Sequence, residues 1–80
     1  MHAFYRLNPH LNTQPKASSM FDLAKATESK LSQGRHWGDD YLIVADEEGK
    51  AALVEEMMRG DGIYFERVAE LPPHHRWQLD

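Results

Sequence analysis

The sequence predicts an α+β fold: a small three-stranded sheet with two helices on one face, in the order β-α-β-α-β. Three observations indicate this class. Apolar residues alternate along His2–Leu7, an unbroken apolar run covers Tyr41–Ala45, and two further segments repeat apolar residues at helical spacing. The 80 residues contain no cysteine, so we expect a single domain over 1–80 that no disulfide stabilises.

The N-terminal strand is predicted at His2–Leu7 and is ended by Asn8-Pro9. Its alternation places Phe4 on one face and three residues on the other: Ala3, Tyr5 and Leu7. Prolines, asparagines and a glutamine follow, so 8–18 is predicted as a loop or arm.

A helix is predicted next, with Ser19 as its N-cap and Asp22 in the capping-box position. Gly34 is the expected C′ residue, which places the end of the helix near Gln33. The apolar stripe consists of Met20, Leu23, Ala24, Thr27 and Leu31.

The second half is predicted as strand Tyr41–Ala45, an acidic turn and helix Lys50–Arg59, which Gly60 ends. The alternative is a hairpin at 41–57, which gives the order β-α-β-β-β, because the turn sequence also suits a β-turn. We favour the helix because paired Met and paired Glu residues suit it better than an edge strand.

The last strand is predicted at Ile63–Leu71, with a bulge near Glu66-Arg67 because the alternation is imperfect. Pro72-Pro73 ends it, and 72–80 forms a C-terminal tail. If the strands at Tyr41–Ala45 and Ile63–Leu71 are parallel, their helical crossover is right-handed. So small a sheet leaves open edges, so a homodimer through an edge strand or the Trp77 tail is a second expectation.

Charge is distributed unevenly along the chain. The net charge is −4, but residues 1–38 carry five basic side chains against two carboxylates, whereas 39–80 carry eleven carboxylates against four basic side chains. An acidic surface repels phosphate and attracts basic partners. The ordinary interpretation is a solvated surface that maintains solubility.

The acidic cluster is the main candidate for a binding site. It comprises Asp46, Glu47 and Glu48 in one turn and Glu55 and Glu56 on the following helix. Such carboxylates can imitate a phosphate array and occupy a nucleic-acid groove on a partner. The turn lacks the alternating oxygen ligands of a calcium loop, so we expect no metal there.

Two patches combine Arg, His and Trp: residues 35–37 and 75–77. Arg35, Trp37 and Trp77 are candidate contacts because Trp and Arg dominate binding hot spots. The structural alternative is that both Trp side chains close the ends of the sheet while the Arg and His side chains are exposed. A rival function follows from the basic half, a small nucleic-acid-binding or regulatory protein using Lys16, Lys25, Lys30, Arg35 and Trp37.

No catalytic or cofactor motif is present, so we expect neither an enzyme nor a cofactor. The pair His74-His75 is expected to point to opposite sides of an extended chain, and the histidine spacing predicts no zinc site. Met1–Arg6 is not typical of a secretory signal and no apolar run spans a bilayer, so a cytoplasmic location is expected.

In size and charge profile, with Asp46-Glu47-Glu48 and Glu55-Glu56 in a compact chain without a catalytic set, the sequence resembles small phage-encoded inhibitors of the anti-CRISPR and antirestriction type. The resemblance implies a non-catalytic protein whose acidic face occludes a basic, nucleic-acid-binding surface of a host complex. Because the overall charge is negative and the apolar runs are short, we expect neither direct nucleic-acid binding nor membrane binding.

Overall fold

The computed structural model describes residues 1–8, 12, 14–33 and 39–79, with the side chains of 14–19 and 77–79 left aside. The elements in chain order are β1 (His2–Leu7), α1 (Gln14–Ala26), β2 (Lys30–Ser32), β3 (Asp40–Ala45), α2 (Lys50–Gly60), β4 (Glu66–Val68) and a 3-10 helix (Pro73–Leu79). The predicted α+β class is confirmed, and so is the helix that we preferred to a hairpin at 41–57.

The sheet has four strands in the order β2-β3-β1-β4, one strand more than predicted. Each neighbouring pair is antiparallel. The strands β3 and β4 therefore run parallel to each other, but β1 lies between them. This arrangement places the two longest strands, β1 and β3, in the centre of the sheet and the two three-residue strands at its edges.

Both helices pack on one face of the sheet, as predicted. Ala3, Tyr5 and Leu7 of β1 lie on this face, opposite Leu42 and Val44 of β3. The helices complete this core with six buried residues: Met20, Leu23, Ala24, Ala51, Val54 and Met58. Burial of aliphatic area on this scale is the main source of stability in so small a domain.

The opposite face of the sheet carries a smaller apolar cluster. Tyr41 and Ile43 of β3 are buried there, with Phe4 and Val68 packed beside them. Leu71 and His75, from the C-terminal segment, cover this cluster. The segment predicted as a strand or extended tail is therefore a 3-10 helix that closes the second face.

The predicted limits of the first helix are wrong at both ends. The helix α1 begins at Gln14, within the predicted loop 8–18, so Ser19 is an interior residue and not the N-cap. It ends before Glu28, which takes φ 54, and the amides of Glu28 and Ser29 donate to the carbonyls of Lys25 and Ala24. These two bonds form a Schellman motif, in which Glu28 occupies the position that we had assigned to Gly34.

This early helix end releases Lys30–Ser32 to form the strand that the sequence did not predict. Leu31 of β2 lies opposite Leu42 and packs against the helix-side core, and Ser32 lies opposite Tyr41 on the other face. Leu31 therefore reaches the predicted core from a strand and not from the helix.

The last strand is much shorter than predicted, Glu66–Val68 in place of Ile63–Leu71. The Asn12 side chain explains its late start: it accepts a bond from the Tyr64 amide and donates one to the Tyr64 carbonyl, both at 3.0 Å. These bonds occupy both backbone groups that strand pairing at Tyr64 would use. The predicted bulge near Glu66-Arg67 is wrong, because β4 pairs with β1 residue for residue over Glu66–Val68. Ile63 and Phe65 pack on the helix side and Val68 on the other face, as in a regular strand.

Candidate binding surface

The acidic turn between β3 and α2 is fixed by its backbone. The Glu47 amide donates to the Ala45 carbonyl, and the Lys50 amide to the Glu47 carbonyl, each at 3.0 Å. The half-buried Asp46 accepts a bond from the Ala51 amide at 3.1 Å. Asp46 therefore satisfies one of the free amides at the start of α2, where a carboxylate is also favoured by the helix dipole.

Two consecutive residues of this turn have a left-handed backbone: Glu48 with φ 54 and Gly49 with φ 78. Glycine adopts this conformation without steric cost, whereas a glutamate pays on the order of 1 kcal/mol for it. The turn presents the side chains of Glu47 and Glu48 to solvent. Neither carboxylate forms an ion pair with any residue in the described part of the chain.

Glu55, by contrast, is enclosed by partners. Its side chain is only 19% exposed, and its carboxylate lies 3.3 Å from both Arg59 and Arg67. The Tyr5 hydroxyl donates to the same carboxylate at 2.7 Å. Burial, together with this bond to Glu55, raises the pKa of Tyr5, so the hydroxyl remains a donor at ordinary pH. Glu55 thus serves mainly to satisfy a buried tyrosine and two arginines.

Other carboxylates of the acidic half are paired as well. Glu56 lies 3.3 Å from Arg59, and Glu70 lies 3.5 Å from Arg76. The Arg6 guanidinium bridges Asp39 at 2.9 Å and Glu66 at 3.2 Å. Exposed pairs of this kind contribute little stability, but they neutralise the field of the carboxylates. The predicted acidic face therefore consists of a neutralised part on α2 and an unpaired part at Glu47 and Glu48.

Of the remaining predicted contacts, Arg35, Trp37 and the side chain of Trp77 lie outside the described residues. Lys16 lies on α1, Lys25 is exposed in the last turn of α1, and Lys30 is exposed on β2. Lys30 lies opposite Ile43, which places it on the sheet face away from the helices. The structure thus distributes the described lysines of the rival nucleic-acid surface over two elements.

The structural alternative for the Arg/His/Trp patches placed His75 at the surface, and this is wrong: the side chain is 2% exposed. Its Nδ1 bonds the Ser32 hydroxyl, and its ring centroid lies 4.7 Å from that of Tyr41. Its Nε2 is buried and has no hydrogen-bond partner among the described residues. The 3-10 backbone also brings the rings of His74 and His75 to 5.0 Å, so the expectation of opposite directions is wrong too. The sequence indicated the burial of His75 only indirectly: the apolar residues Leu71 and Trp77 on either side of it favour packing of this segment against the sheet.

No group of three His, Cys, Asp or Glu side chains in the described ranges is arranged to hold a metal ion. The helices of the part of the chain that is described are too short or too polar to cross a bilayer.

Comparison of the chain with protein-family models, with curated proteins and with solved structures gives no match.

Proposed function

We propose that this chain is a non-catalytic binding protein that occludes a basic, nucleic-acid-binding surface of a partner complex. The acidic turn, Asp46–Glu48, is the contact. The observation that carries the proposal is the pair of exposed carboxylates at Glu47 and Glu48, which stand on a fixed backbone and have no ion pair among the described residues. Cations of a partner can therefore bind them without displacing a cation of this chain.

The α2 carboxylates contribute less to binding in this proposal than their positions in the sequence predicted. A partner that binds Glu55 must compete with Arg59, Arg67 and the Tyr5 hydroxyl. Glu56 is more accessible, but it shares Arg59. The electrostatic attraction of a basic surface is consequently concentrated at the turn. The resemblance to phage-encoded inhibitors and a cytoplasmic location belong to the same proposal.

The test compares Glu47→Lys/Glu48→Lys with a matched control, Glu56→Lys/Glu70→Lys, which makes the same change in net charge at two exposed carboxylates outside the turn. Each immobilised chain is exposed to a lysate of the host, and captured proteins are eluted with double-stranded DNA or with salt. We expect the wild type to retain a DNA-binding complex that free DNA displaces, since both compete for the same cations. Reversal of the turn should weaken its capture by on the order of tenfold or more.

Two outcomes would refute the proposal. One is capture that DNA does not compete away, and the other is capture that is lost in the control reversal but kept in the turn reversal. A gel-shift series with the purified chain tests the rival function, because direct binding to DNA or RNA that weakens with rising salt would point to the lysines.

A further inference from the structure

A groove lies between the end of α1 and the start of α2, on the side of the helices that faces away from the sheet. Its volume is about 480 Å³. Ala26, Thr27 and Glu28 form one wall, and Lys50, Leu53 and Met57 form the other. The α1 wall is therefore built of small side chains and ends in an acid, whereas the α2 wall is built of bulky apolar side chains and begins with a base.

Leu53 is a large apolar side chain of the groove that is 59% exposed. Met57 beside it is half-buried against the core. The Thr27 hydroxyl already donates to the Leu23 carbonyl at 2.8 Å, so it offers the groove chiefly its methyl group. The floor and walls of the groove are consequently apolar, with a single charge at each rim.

The two rim charges lie at ends of their helices where the helix dipole opposes them. Lys50 is the first residue of α2, at the positive end of its dipole, and Glu28 follows the last residues of α1, at the negative end of its dipole. Helix termini favour the opposite signs at these places. Within the described part of the chain neither side chain forms an ion pair, although both line the same groove.

We propose that this groove is a homodimer interface, in which a two-fold axis runs along the groove. Such an axis sets the α1 wall of each chain against the α2 wall of the other. Leu53 then packs on Ala26 and Thr27 of the second copy, and Glu28 pairs with Lys50 of the second copy, twice per dimer. A surface whose two halves complement each other in both size and charge meets the requirement of an isologous contact.

The dimer explains both features that the monomer leaves unexplained. Each misplaced rim charge gains a partner of opposite sign, and the exposed Leu53 is removed from water. The proposal does not depend on the proposed function, because Glu47 and Glu48 do not line the groove.

The experiment is a charge swap followed by sedimentation velocity over a concentration series. In Glu28→Lys or in Lys50→Glu alone, like charges face each other across the axis, so we expect the dimer to weaken by on the order of tenfold or more. An equimolar mixture of these two variants restores opposite charges at both positions and should give heterodimers. Both substitutions suit the helix dipole, so each variant should fold at least as well as the wild type.

A second pair of variants isolates the apolar contact. Leu53→Ser should weaken the dimer, whereas Phe21→Ser removes a similarly exposed apolar side chain from α1, outside the groove, and should leave it unchanged. Circular dichroism verifies that all variants remain folded. A wild-type chain that is monomeric throughout the series, a mixture that fails to restore dimers, or equal effects of Leu53→Ser and Phe21→Ser would each overturn the proposal.

Discussion

The two faces of the sheet are closed in different ways. The helix-covered face is sealed by two helices that contribute six buried aliphatic or methionine side chains. The second face is covered by one C-terminal segment, whose contacts with the sheet include Leu71 and the ring of His75. The same strands supply both faces, so the difference lies in what covers them.

Because of this difference, we expect the two faces to differ in how their packing responds to pH. The aliphatic and methionine side chains that close the helix-covered face do not titrate, so their packing does not depend on pH. On the second face lies the titratable ring of His75, whose buried Nε2 has no hydrogen-bond partner in the described part of the chain. Because a buried charge without a partner is costly, this face should be the first to loosen when protons are added.

The largest expected effect comes from truncating one buried side chain on each face, at adjacent positions of β3. Leu42 faces the helices and Ile43 the second face, and both are buried. We expect Leu42→Ala to lower the free energy of unfolding by about 3 to 5 kcal/mol and Ile43→Ala by about 2 kcal/mol. The loss should be smaller at Ile43 because a single covering segment can settle into the space. Urea titration followed by circular dichroism measures both losses.

Should Leu42→Ala be unfolded in buffer, Leu42→Val and Ile43→Val give the same comparison, since each removes one methylene group. An equal or greater loss at Ile43 would show that the C-terminal segment packs as firmly as the helices, and the contrast between the faces would be wrong.

A loss of stability of intermediate size is expected when the pH is lowered, because of His75. Burial, and then the neighbouring His74, lower the pKa of His75, while Asp40 and Asp39 act in the opposite direction. The unfolded chain therefore takes up a proton near pH ~6.5, before the folded chain does. The contribution of His75 to the free energy of unfolding is therefore fully present above about pH 6.5. Below that pH the free energy of unfolding falls, by at most about 1.4 kcal/mol per pH unit for this group.

The measurement is the urea midpoint between about pH 7.5 and pH 5.5. The double variant Ser32→Ala/His75→Phe removes the titrating ring and the hydroxyl that bonds it, while it keeps an aromatic ring against Tyr41. We expect its profile to be flatter than that of the wild type. His2→Gln, at an exposed position, should retain the wild-type slope, and a double variant as steep as the wild type would exclude His75 as the source.

The contrast also shows which parts of the fold the sequence could predict. The strands β1 and β3 and the helix α2 were predicted within a residue at each end, because their apolar spacing is regular and uninterrupted. These elements build most of the helix-covered face. The acidic turn was placed correctly for the same reason, since it joins two of them.

Elements that depend on one side chain in an unusual role were missed. Nothing in the propensity of Glu28 indicates a left-handed C′ residue, so the end of α1 and the strand β2 were predicted wrongly. The late start of β4 depends on Asn12, which is distant in the chain. Its side chain takes the backbone hydrogen bonds of Tyr64 that a neighbouring strand would otherwise form. The pairing of Glu55 with Arg67 is equally non-local, so a count of charges along the sequence overstated the acidic face.

The smallest expected effect concerns the buried polar group of the helix-covered face, Tyr5. Its hydroxyl donates to Glu55, and Tyr5→Phe should lower the free energy of unfolding by only about 1 kcal/mol, because Glu55 keeps both arginines. A double-mutant cycle of Tyr5→Phe with Glu55→Ala isolates the bond, and we expect a coupling of about 1 kcal/mol. Because the pKa of Tyr5 is raised, this coupling should be equal at about pH 7.5 and about pH 5.5, whereas the contribution of His75 changes over the same range. A coupling that vanished in acid would mean that the helix-covered face responds to protons as well, and the division of roles between the two faces would fail.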